Sequence, residues 1–267
     1  MRGRLAVATV LVASAAVACG TQRAQDPVVA GSAPAAPYGG PLSAPAARAL
    51  ECDAEVYSRA GSDPWSRGDG GSTPEEGLRA YFDIQQPDVP RHGYRVERGE
   101  ADRVLYSFDV DGRTKVAVIV AKDRRNRPGW GPESSASCDP AELPASFTDT
   151  QPYEIWTDTH NRRVPVARVT GNAGPEHCDW QKAHLLSLGA GGGKGRLYAR
   201  DPDGVLPEGS LLAPYDGDAR MPADAHDTGY RYGDWRLWLT EDTSKAYVRT
   251  SHGVEAWPRV RDGFGCK

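Results

Sequence analysis

The sequence predicts an α+β protein, mainly antiparallel β with one or two helices near the start, stapled by disulfides and preceded by a disordered N-terminal tether. Three observations carry this reading. The 267 residues include 30 Gly and 21 Pro but only 4 Phe and 2 Met, a composition of short strands joined by turns more than of a helical bundle. Apolar side chains recur with period two between Val104 and Ala121, as in strands with distinct faces. Cys52, Cys138, Cys178 and Cys266 form an even set in the body of a chain whose start reads as an export signal, and thiols oxidise outside the cytoplasm.

Residues 1–18 open on Met1-Arg-Gly-Arg4 and continue in an apolar run from Leu5 to Val17. That run is too short to cross a bilayer and has the charge and length of a secretory signal. Ala16-Val17-Ala18-Cys19 resembles the lipobox of bacterial lipoproteins. The resemblance implies that Cys19 becomes the lipidated first residue and that the membrane is reached through that lipid. Losing Arg2 and Arg4 moves the formal net charge from −4 to −6, a balance that argues against nucleic acid as a partner. Residues 19–45 carry Pro27, Pro34, Pro37, Pro41 and Pro45 among Ala, Gly and Ser. Such a stretch buries too little surface to offset its ordering entropy, and about 25 residues of it would reach on the order of 30 Å.

Residues 46–150 read as an α+β subdomain, a helix followed by a meander. Thr73-Pro-Glu-Glu76 has the capping-box spacing with Pro at the first helical position, and Leu78, Tyr81 and Phe82 then share one face. Strands are expected at Tyr94–Arg98, at Val104–Val110, on the return past Asp111-Gly112, and from Gly129 to Cys138. Asp-Gly suits a type I′ turn, whose two central residues need positive φ. Val116, Val118 and Val120 should face one way, Ala117, Ile119 and Ala121 the other.

Residues 151–267 read as a β-rich subdomain. Strands are expected at Tyr153–Trp156 and Val164–Val169 around a His160-Asn161 turn, and at Trp180–Leu188 and Arg196–Arg200 around the glycine run 189–195. Trp235–Leu239, Ala246–Thr250 and Val254–Trp257 complete the set, with a tight turn at His252-Gly253. The four body cysteines permit three connectivities. Cys52–Cys138 with Cys178–Cys266 is favoured, since each pair brackets one half and closes a loop of similar length, stabilising by roughly 4 to 5 kcal/mol in the chain-entropy model.

At Gly174-Pro-Glu-His-Cys-Asp-Trp180, Tyr198-Ala-Arg-Asp-Pro-Asp-Gly204 and Cys138-Asp-Pro-Ala-Glu142, the chain resembles a set of uncharacterised exported proteins of high-GC actinobacteria, over roughly residues 50–266. The resemblance implies an envelope location and a shared fold, and brings no activity or site.

Motifs for chemistry are sparse. Glu176, His177, Cys178, Asp179 and His184 are zinc-type ligands, but oxidised Cys178 is no ligand and neighbours on a strand point apart. Gly189-Ala-Gly-Gly-Gly-Lys-Gly195 has the wrong interval for a phosphate loop and Gly195 where a hydroxyl should meet magnesium. Asp201, Asp203, Asp216, Asp218, Asp224 and Asp227 lack the spacing of a calcium loop and sit in ordinary turn sequences. Neither a Gly-x-Ser-x-Gly elbow nor a His-Glu-x-x-His helix occurs. His92, His160, His177, His184, His226 and His252 have no local partner pattern. No metal, cofactor or catalytic residue is therefore assigned.

Seven tryptophans remain as a clue. Most are expected in the core, but Trp235 and Trp238, three apart on one strand, must face opposite ways, so at least one is a candidate binding residue. The reading that results is a lipid-anchored protein on the extracytoplasmic face of the cell membrane. It does non-enzymatic binding or structural work with an envelope protein or wall glycan. An extracytoplasmic hydrolase acting on wall or envelope substrates is the alternative.

Overall fold

The computed structural model describes residues 29–30, 46–60, 69–124, 127–189 and 195–265. The signal segment, Cys19, nearly all of the tether, residues 190–194 of the glycine run and Cys266 lie outside the described residues.

Helix α1 (Pro74–Gln85) starts where Thr73 Oγ1 accepts the Glu76 amide at 3.3 Å. The Glu76 carboxylate reaches back one residue beyond the cap, to the Ser72 hydroxyl (2.7 Å) and amide, and these bonds hold its pKa below the usual carboxylate value. Strands β3 (Tyr94–Gly99), β4 (Arg103–Val110), β5 (Arg113–Arg124) and β6 (Arg127–Cys138) form an antiparallel meander. Strand β2 (Val56–Ala60) pairs antiparallel to β6 at one edge, and the two-residue β1 (Val29–Ala30) pairs parallel to β3 at the other. At the β4–β5 turn Asp111 and Gly112 have φ of 53° and 75°, the positive values that type I′ geometry requires.

Both faces of this sheet are covered. Leu78, Tyr81 and Phe82 of α1 pack on Tyr94, Val104, Tyr106, Val116, Val118 and Val120. Across the sheet Leu105, Ala117, Ile119 and Ala136 meet Ala46 and the rest of a short 3-10 turn, Ala46–Ala49. Leu105, on the face of β4 opposite Val104 and Tyr106, is therefore buried as well, because the small side chains of Ala117 and Ala136 let the 3-10 turn close over it.

Cys52 is disulfide-bonded to Cys138. Beside it buried Lys115 donates to the Glu51 carbonyl (2.7 Å) and to Glu142 (2.6 Å), while Glu142 also accepts the amides of Asp53 and Ala54 at 2.9 Å. This charge-paired lysine and the disulfide together fasten the segment before β2 to the meander. Cys178 is also disulfide-bonded; its expected partner, Cys266, lies outside the described residues.

The chain leaves β6 through Asp139, a 3-10 turn (Pro140–Glu142) and the single-turn helix α2 (Ala145–Thr148). Two expected strands are absent here. Tyr153–Trp156 makes only a bridge, Tyr153 with Asn172, and residues 165–168 turn, with the Arg168 amide donating to the Pro165 carbonyl at 2.9 Å. Pro165 cannot donate to a ladder, so pairing starts later, at β7 (Val169–Ala173). Likewise Trp180–Ala183 closes a turn, Ala183 amide to Trp180 carbonyl at 2.8 Å, and β8 is only His184–Leu188.

Sheet β7–β8–β9 (β9, Arg196–Arg200) lies against a second antiparallel sheet: β10 (His226–Tyr232), β11 (Trp235–Leu239), β12 (Lys245–Thr250) and β13 (Gly253–Pro258). Trp156, Val169, Leu186, Leu188 and Tyr198 meet Leu237, Ala246, Val248 and Trp257 between them. On the outer face of β8 and β9, Leu185 and Ala199 pack with Trp180 and Val260. Both edges of the four-stranded sheet are occupied. Thr157 and Arg231 exchange backbone bonds of 2.8 Å beside β10, and Asp216 exchanges two with Ala256 beside β13. Among the described residues no helix is long and apolar enough to cross a membrane.

Candidate functional site

The site lies at one end of the packed sheets. Period two places His184 on the same face of β8 as Leu186 and Leu188, so as the strand's first residue it stands at the rim of their core. The Glu154 amide donates to the Gly171 carbonyl at 2.7 Å, which sets the Glu154 side chain over Gly171. A Cβ at position 171 would lie 2.0 Å from Glu154 Oε2 and 2.8 Å from His184 Nε2. Only glycine leaves room for this pair.

Glu154 Oε2 and His184 Nε2 are 3.4 Å apart, and each side chain is 15% exposed. The distance permits charge attraction but the alignment makes no hydrogen bond, and neither of these two buried atoms has another partner. Buried polar atoms are rarely left this way without a reason.

Aromatic rings wall the pair. The imidazole meets Trp235 edge-on at 5.0 Å and Trp257 at 5.3 Å. Tyr232 stacks on Trp156 at 5.9 Å and contacts the edge of Trp235 at 6.0 Å. Trp156 and Trp257 are fully buried, Trp235 is half-buried and Tyr232 is 38% exposed, so the last two form the accessible rim. Burial, with Glu154 nearby, raises the Tyr232 pKa and keeps its hydroxyl protonated.

A second charge pair braces the same end. Arg200, the register partner of His184, donates to both Glu255 oxygens at 2.7 and 3.2 Å, and the Trp257 indole donates to Glu255 at 2.9 Å. Burial pushes the Glu255 carboxyl up, but the Arg200 and Trp257 bonds outweigh it and hold the pKa below the usual value. This pair is satisfied within the protein; Glu154 and His184 retain hydrogen-bonding capacity. Glu154 Oε2 and His184 Nε2 are both closed to solvent, so the accessible part of the site is the Tyr232–Trp235 rim.

Trp235 belongs to this site. Trp238 does not: it faces the other side of β11, where Arg249 lies 5.4 Å over its ring. Glu176, His177 and Cys178 form a 3-10 turn. Asp201 accepts the Val205 and Leu206 amides at 2.9 and 3.0 Å, Asp216 that of Asp218, and Asp227 that of Gly229, so these carboxylates serve their own loops. Sequence reasoning missed Glu154 and weighed His184 only as a zinc-type ligand beside Glu176–Asp179 and as one histidine among six. The available signal was His184 in phase with Leu186 and Leu188; Glu154 carries none, because its partner comes from a separate strand.

No known protein family, curated protein or solved structure matches the chain.

Proposed function

We propose that the chain is a lipid-anchored, extracytoplasmic binding protein whose ligand is a saccharide of the cell wall, held on the Tyr232–Trp235 rim above Glu154 and His184. The observation that carries this is the pairing of accessible aromatic faces with a carboxylate and an imidazole that lack hydrogen-bond partners. Sugar rings present C–H groups to aromatic faces, where the ring quadrupole is negative, and hydroxyls that both donate and accept. The lipid on Cys19 and the tether would hold the domain off the membrane, within reach of the wall.

The test is a tryptophan-fluorescence titration of the purified chain with soluble wall fragments. Saturable quenching is expected, weakened at least about tenfold by Tyr232→Ala, the loss typical of an aromatic anchor. No binding, or binding unchanged in Tyr232→Ala, refutes the reading. A hydrolase is the second reading, favoured by the Glu154–His184 pair itself, since a carboxylate beside an imidazole can serve acid–base chemistry. Release of new reducing ends from wall material, lost in Glu154→Gln, would decide for it.

A further inference from the structure

An open groove of about 990 Å³ runs between the meander and the second half, lined from both. Its cations fall into two sets. Arg113 is held by Asp53 at 2.7 and 2.9 Å, Lys115 by Glu142 at 2.6 Å, and Arg162 by Asp158 at 2.7 Å. Those charges are matched. Arg163 is half-buried and its guanidinium donates to neutral oxygens, the Leu143 carbonyl and the Thr148 hydroxyl. Burial pulls its pKa below the usual value, outweighing the attraction of the Asp149 and Asp139 carboxylates, neither of which it pairs with directly. Arg168, on the turn that precedes β7, is exposed, and its side chain has no ion pair or hydrogen bond among the described residues.

We infer that this groove binds a phosphate-bearing ligand, with Arg163 and Arg168 as the guanidinium groups that take the phosphate. Guanidinium forks recognise oxyanions through paired N–H donors. One fork fills the two oxygens of a carboxylate, whereas the terminal oxygens of a phosphate can serve both. Arg163 is positioned in advance by its two neutral acceptors, so little side-chain entropy is lost when an anion arrives. The groove is also larger than a bare phosphate needs and falls at the upper end of small-ligand sites. The ligand therefore carries bulk beyond its phosphate, as a soluble phosphate ester or a lipid headgroup would. This inference is independent of the saccharide rim, which lies on other residues.

The experiment uses the mature chain carrying Cys19→Ala, so that the anchor does not itself insert into vesicles. Glycerol phosphate is titrated with the arginine Nε–H resonances as readout, and co-sedimentation is measured with vesicles of phosphatidylglycerol and of phosphatidylcholine. Saturable binding is expected, weaker at high salt, reduced at least about tenfold by Arg168→Gln, and unchanged by Arg236→Gln, an exposed arginine on β11. Arg168-dependent binding of glycerol phosphate identifies a soluble ester as the source. Arg168-dependent sedimentation with phosphatidylglycerol alone identifies a headgroup. The inference is overturned if neither binding depends on Arg168, if Arg236→Gln weakens binding equally, or if acetate competes as well as phosphate.

Discussion

Asp139 is the carboxylate on which the two halves of the chain meet, and replacing it should cost more stability than any surface change. It is fully buried. Oδ1 accepts the Ala141 amide at 2.8 Å and the Val166 amide at 3.0 Å, while Oδ2 accepts the Ala167 amide and the Tyr57 hydroxyl, both at 3.4 Å. Asp139→Ala strands three backbone N–H groups. Hydrogen bonds to a charged group contribute about 1.5–3 kcal/mol each, and the two shorter ones dominate. Release of the carboxylate's burial cost offsets part of the loss, leaving a net destabilisation of about 3 kcal/mol for Ala. Asp139→Asn keeps one oxygen for Ala141 and Val166 and turns its amide against Ala167, so about 1–2 kcal/mol is expected. Urea unfolding followed by tryptophan fluorescence, with the disulfides intact, measures both. A loss in Asp139→Ala below about 1 kcal/mol, or Asn more harmful than Ala, would refute the account. The pH dependence supplies an internal check. Burial, outweighing the amide bonds, raises the Asp139 pKa above 3.8. Between the two values the native state keeps a proton that the unfolded chain has released, so this residue's contribution falls as pH rises through that window. That component should vanish in Asp139→Asn.

Removing the Cys52–Cys138 bridge, whose residues are 86 apart in sequence, should cost about 4–5 kcal/mol in the chain-entropy model; the urea midpoint of a Cys52→Ser, Cys138→Ser variant tests this, and an unshifted midpoint would contradict it. Gly171→Ala should displace the Glu154 carboxylate, destabilise by about 1–3 kcal/mol through overpacking and weaken saccharide binding in the same titration. Burial pushes the Asp158 carboxyl up, but the Arg162 and His160 amides and the Arg162 guanidinium bring it down to about 2. Its stabilising contribution is thus complete above pH 3.8 and lost as pH falls through about 2, which a carbon-detected NMR titration with and without Arg162→Ala would show. Cys19→Ala should leave the protein unlipidated and released from the membrane fraction; a variant that still sediments with membrane would sink the anchor assignment.

Local signals made much of the first half legible. Thr73-Pro-Glu-Glu76 marks the start of α1, Asp111-Gly112 marks the turn between β4 and β5, and the period-two valines of β5 point to the helix side as their spacing requires. Even the Cys52–Cys138 pairing was favoured from the positions of the cysteines. Elsewhere local pattern misled or was silent. The expected strand at Val164–Val169 is replaced by a turn because Pro165 cannot donate, and β2 and β10 were unanticipated because each depends on a neighbour for pairing. The Glu154–His184 pair, the Asp139 junction and the groove with Arg163 and Arg168 were decided by tertiary structure alone. Their parts are brought together by sheet packing and by a buried carboxylate, contacts that no short window of sequence contains. A turn or a cap is encoded within a few residues, since its hydrogen bonds close locally. A site assembled from different strands exists only once the chain has folded around it.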